Sequence, residues 1–100
     1  MEQNRLSLGG FGFDRRAGQL ILRSPEGSVT ADLRGFLRGA HHLLKMGFDL
    51  EGSAELDGGL IFRVEGEQVQ LRLGPYAERF PTQAVAALFK QMTMLWASEP

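Results

Sequence analysis

Three groups of residues in this chain have the types and spacing to do chemistry. They are the pair His41-His42, the cations Arg34, Arg38 and Lys45 around it, and the carboxylates Asp49, Glu51 and Glu55. Adjacent histidines on a helix diverge by 100°, so they do not form the i,i+4 pair that clamps zinc. There is no cysteine and no Glu-x-x-His sequence, so neither a metal site nor a cofactor is expected. Arg34, Arg38, His41 and Lys45 fall in one narrow helical sector, where like charges four apart repel by a few tenths of a kcal/mol. Such a stripe either faces an acidic partner or a phosphate backbone, or it is a solvated face touching the acids of residues 49–57. Acids at alternate positions of a strand read as its wet side. No nucleophile stands beside a base and an orienting group, so a non-catalytic protein is expected, with a small enzyme of unknown reaction as the third reading.

The segment Gly10-Phe11-Gly12-Phe13 resembles the glycine–aromatic core of the third-strand signature of the RNA-recognition motif, whose aromatics stack on bases. The basic residue that precedes the glycine there is absent, and Asp14 stands where an aliphatic belongs. Phe11 and Phe13 are therefore expected in the core. Gly9-Gly10-Phe11-Gly12 also lacks the lysine and helix start of a phosphate loop.

These residues need a scaffold, and the bulk numbers allow one domain, residues 1–100. Of the 100 residues, 43% are hydrophobic and 23% charged, which excludes a disordered chain. The absence of cysteine rules out disulfides and fits a cytoplasmic setting. No leader segment and no apolar run of membrane-spanning length is read, so no membrane partner is expected. A net charge of −1 argues against a nucleic-acid groove.

The chain reads as two copies of one unit, about 5–47 and 48–97. Gly18–Leu33 laid over Gly59–Leu73 matches Leu20 with Leu60, Ile21 with Ile61, Arg23 with Arg63, Val29 with Val69 and Leu33 with Leu73. A short repeat implies a unit that needs its sibling to bury its apolar face. Alternation through Leu6, Leu8, Phe11 and Phe13 predicts one strand with a bulge at Gly9-Gly10. Leu33, Phe36, Leu37, Ala40, Leu43 and Leu44 predict a helix capped by Gly47. A second helix is predicted from Thr82 as N-cap, preceded by an extra loop, Gly74–Pro81, that the first copy lacks. Tyr76, Glu78, Arg79 and Phe80 lie in that loop, either as binding residues or with Phe80 plugging the core.

The expected fold is α+β, a two-layer sandwich. About six antiparallel strands form one sheet, with both helices on one face, in an internal βββα duplication. This element order is similar to the ββββα units of the Whirly and PUR single-strand-binding families, with one strand fewer per unit and no shared residue motif. The first functional expectation is an interaction module that forms a homodimer or binds a protein partner. Its interface would comprise Gly35, Gly39, Ala86, Ala87, Lys90 and Met94, because the last helix is apolar nearly all round and glycines four apart permit close backbone approach. The alternative is a single-stranded nucleic-acid-binding protein that uses Arg23, Arg63 and Arg72 on a polar sheet face.

Overall fold

The computed structural model describes residues 4–49 and 52–97. Strands β1 (Arg5–Leu8), β2 (Phe11–Arg16), β3 (Gln19–Ser24) and β4 (Gly27–Asp32) lead into helix α1 (Leu33–Lys45). Strands β5 (Ser53–Leu56), β6 (Leu60–Glu65), β7 (Gln68–Leu73) and β8 (Tyr76–Pro81) lead into α2 (Thr82–Trp96). The class is α+β, but the single six-stranded sheet is replaced by two antiparallel four-stranded meanders, β1-β2-β3-β4 and β5-β6-β7-β8. Each copy therefore holds one strand more than expected.

Two local features account for the missing strands. Gly9-Gly10 is a tight turn and not a bulge: Leu8 pairs with Phe11 across it, Leu6 pairs with Phe13, and Gly9 takes φ 57°. In the second copy, Tyr76–Pro81 pairs with β7 along its whole length, from Leu73 opposite Tyr76 to Gln68 opposite Pro81. The supposed extra loop is the counterpart of β4. Equivalent elements begin 49 residues apart, at Phe11 and Leu60, Gln19 and Gln68, Gly27 and Tyr76, and Leu33 and Thr82. Laying Leu20 over Leu60 had slipped one copy by a whole strand, which period-two alternation cannot reveal because neighbouring strands share it.

Asp32 caps α1 by accepting the Gly35 N–H at 2.8 Å. The helix ends as a Schellman motif, with the Phe48 and Gly47 N–H groups donating to the Leu43 and Leu44 carbonyls at 3.0 Å. Gly47 adopts φ 66° there, as a residue just past a helix must. Thr82 is the first residue of α2 and not its N-cap, which is Pro81. Its hydroxyl donates instead to the Glu67 carbonyl at 2.8 Å, and its N–H does so at 3.0 Å. The Leu33 N–H meets the Gly18 carbonyl in the equivalent place.

α1 packs on β3 and β4 of its own sheet and on β5 of the other, while α2 packs on β7, β8 and β1. The units therefore share one core. Phe11 and Phe13 are buried in it, so they offer no face to a base. Phe89 of α2 meets Phe36 of α1, Phe48 and Phe62, with ring centroids 6.0–6.3 Å apart. The close approach foreseen at Gly35 and Gly39 is made within the chain, to the end of β5 and the turn after it. A Cβ on Gly39 would lie 2.7 Å from Leu56 Cδ2, and one on Gly35 would strike the Asp57 carboxylate. Both glycines thus serve the contact of α1 with β5 and the turn after it. No described helix is long and apolar enough to cross a membrane.

Candidate interaction surface

The helical layer gathers charge of one sign. α1 and α2 carry Arg34, Arg38, Lys45 and Lys90 and no carboxylate. That is +4 in a chain of net −1, which leaves −5 on the strands, turns and ends. All four are exposed, and so is His41. Arg34 sits in the first turn of α1, at the positive end of the helix dipole, where a cation is disfavoured. No ion pair reaches Arg34, Arg38, His41, Lys45 or Lys90 among the described residues, so Asp49, Glu55 and Asp57 do not pair with the stripe. Glu51 lies outside the described residues.

Two adjoining clefts follow these cations along the seam between the helices. The first, about 780 Å³, lies where the start of α1 meets the end of α2 and the β2–β3 turn. Arg15, Arg34, Arg38 and His41 stand around Leu33, Leu37 and Trp96. The second, about 470 Å³, is lined by His41, Leu44, Lys45, Lys90, Thr93 and Met94. His41 and Thr93 belong to both, so the clefts form one groove with cations on both banks and no acid among the described residues of its lining. His42 lines neither.

On α2 the inward stripe is Val85, Leu88, Phe89, Met92 and Trp96, all buried. Its outer side presents Gln83, Ala87, Lys90, Gln91 and Met94, with Ala86 half-buried. Met94 is 80% exposed, the largest exposure of any big apolar side chain described.

The outer sheet faces are internally paired. Asp14 holds Arg5 at 3.1 Å and Arg23 at 2.9 Å. Glu65 holds Arg79 at 2.7 Å and lies 3.8 Å from Arg63. Of the three arginines considered for phosphate contacts, Arg23 and Arg63 are thus already beside carboxylates, and Arg72 alone lacks a described ion pair. Every described Phe and Trp is buried, and Tyr76 is half-buried.

Tyr76 and Glu78 project to the inner side of β8. The Tyr76 hydroxyl donates to Glu78 Oε1 at 2.5 Å, and the Gly10 N–H donates to the same oxygen at 2.9 Å. These two bonds hold the Glu78 carboxyl below the ordinary carboxylate range, the tyrosine bond being the larger cause. The same bond, with burial and the carboxylate's charge, raises the Tyr76 phenol. Both shifts lead away from neutrality, so the pair is a latch between β8 and the β1–β2 turn and not a proton-transfer couple. Its contribution to stability is present above about pH 4.3, where a free glutamate titrates, and is lost as pH falls through the lowered value. At the alkaline end it is lost as pH rises from about 10 through the raised tyrosine value. Tyr76→Phe keeps the edge contact with Phe11, at 5.1 Å, and is expected to flatten both flanks of the melting-temperature profile. A variant that tracks the wild type across pH 3–11 would show that the latch contributes nothing.

No group of three His, Asp or Glu side chains that could hold a metal ion occurs among the described residues. No protein-family model matches this chain, and no curated protein matches it. Two solved structures do, both of hydroquinone 1,2-dioxygenase from Sphingomonas sp. TTNP3. The complex with 4-nitrophenol aligns with TM-score 0.84 and 25% identity over 92% of this chain and 32% of that one. The structure with 4-hydroxybenzoate bound aligns with TM-score 0.82 and 22% identity over 96% and 37%. The chain thus spans about a third of the length of the enzyme chains it matches, and the likeness is one of fold.

Proposed function

We propose that this chain is a non-catalytic interaction module that uses its helical layer as the binding face and self-associates through the outer side of α2. The observation that carries this is the 80% exposure of Met94, two turns along from Ala86 and Ala87, on a helix whose one charge is Lys90. Gln83, Lys90 and Gln91 share that side and would form a polar rim round the apolar patch. Most arginines of the sheet faces are paired with carboxylates, so the helical layer carries the larger share of cations without a described ion pair. A fold that forms about a third of a hydroquinone 1,2-dioxygenase chain is also one that occurs joined to further protein, which favours a module that works against a partner.

Burying about 400 Å² of apolar surface is worth on the order of 10 kcal/mol gross, much of it offset by association entropy and side-chain ordering. Wild-type protein is expected to sediment as a dimer at tens of micromolar. Ala87→Glu with Met94→Lys should yield a monomer with an unchanged melt, because neither side chain belongs to the inward stripe. A wild type that sediments as a monomer at those concentrations ends the self-association reading.

A further inference from the structure

Going beyond self-association, we propose that the groove between α1 and α2 is a docking site for an acidic amphipathic helix of a protein partner. Three features define the occupant. Three cations and an imidazole, Arg34, Arg38, His41 and Lys45, stand in one stripe, so they face a helix whose carboxylates recur at the same 4-3-4 spacing. Leu44 and Met94 give the groove apolar footing, so charge alone does not match it. From Arg34 to Lys45 the axis of α1 covers roughly 16 Å at 1.5 Å per residue, which sets the occupant at about three turns.

Charge complementarity carries the choice of an acidic segment. Among the described residues no carboxylate lines the groove, and the like charges along α1 repel until an anion lies between them. Other occupants fit less well. A single strand of nucleic acid binds through aromatics on which its bases stack, and the described Phe and Trp rings are buried. A bilayer presents a flat surface, while this site is concave and its apolar part lies between cationic banks. A second copy docked groove to groove would set cations against cations.

The test is a fluorescein-labelled helical peptide of about 14 residues, with glutamates at positions 1, 5, 8 and 12 and leucines on the adjoining stripe. It would be titrated with the full chain by anisotropy. Saturable binding is expected, weakened at least tenfold by Arg34→Glu with Arg38→Glu, and equally by dispersing the leucines round the helix at constant composition. If the charge-reversed protein fails to fold, Arg34→Gln with Arg38→Gln should still weaken binding several-fold. No saturation by about 1 mM, or equal affinity for the dispersed peptide, overturns the proposal. So does tighter binding of a thymidine oligonucleotide or of phosphatidylserine vesicles. Lys90 and Met94 line the groove and also lie on the outer face of α2, so the titration is repeated with Ala87→Glu, which leaves the groove lining intact. A wild-type monomer that binds the peptide ends only self-association, and an Ala87→Glu monomer that ignores the peptide ends only the groove.

Discussion

Phe89→Ala is expected to destabilise the fold by about 3–5 kcal/mol, the range for removing a fully buried phenyl ring. Phe89 has no exposed surface. Its ring meets Phe36 on α1, Phe48 in the turn that ends α1, and Phe62 on β6. The first two come from the segment that closes unit one and the third from unit two. Deleting the ring therefore opens a cavity where both units converge, and the edge-on aromatic contacts add to the loss. For a domain of this size, that corresponds to a melting temperature lower by roughly 15–30 °C. Phe89→Leu, which refills most of the volume, should cost far less. Thermal and urea unfolding would decide. A loss below about 1 kcal/mol would mean that the two units do not depend on a shared core.

The helices were legible because a 3.6-residue period sustained over 13 and 15 residues leaves little choice. Of the expected inward residues, Leu33, Phe36, Leu37, Ala40 and Leu43 are buried and Leu44, at the edge of the stripe, is half-buried. The strands were legible in kind but not in number. A glycine pair between two alternating runs suits a bulge or a two-residue turn, and only the pairing of Leu8 with Phe11 decides. β8 was hidden by Glu78, a carboxylate at an inward position between Tyr76 and Phe80. It stands there because its partner is the Gly10 N–H, 68 residues away, which no local pattern can show. The cationic stripe was readable from its spacing. The groove was not, because its far bank comes from α2 and its end from Arg15 and the β2–β3 turn. The spacing of Gly35 and Gly39 announced a close approach, and the approaching element is β5 with the turn after it.

Gly58→Ala is expected to be far more damaging than Gly59→Ala, although the two glycines have nearly the same backbone, φ 89° and 88°. Each substitution forces an L side chain into a conformation it rarely adopts, at roughly 1–2 kcal/mol. A Cβ on Gly59 meets nothing within 4 Å. One on Gly58 would lie 2.9 Å from the Ala31 Cβ and 2.8 Å from Leu22 Cδ1. Ala31 is buried on β4 and its Cβ is tied to the strand, so the β5–β6 turn must withdraw from the first sheet. That overpacking adds about 1–3 kcal/mol, and the difference between the two variants isolates it from the backbone strain. The equivalent glycine of the first unit, Gly9, faces the Glu78 carboxylate and the Phe80 ring across the matching junction. Glu78 is held by Tyr76 and the Gly10 N–H and the Phe80 ring is buried, so neither gives way freely and Gly9→Ala should cost about as much as Gly58→Ala. Equal losses at Gly58 and Gly59 in urea unfolding would show that the β5–β6 turn does not press on β4, and with it would go the paired junctions that join the two sheets.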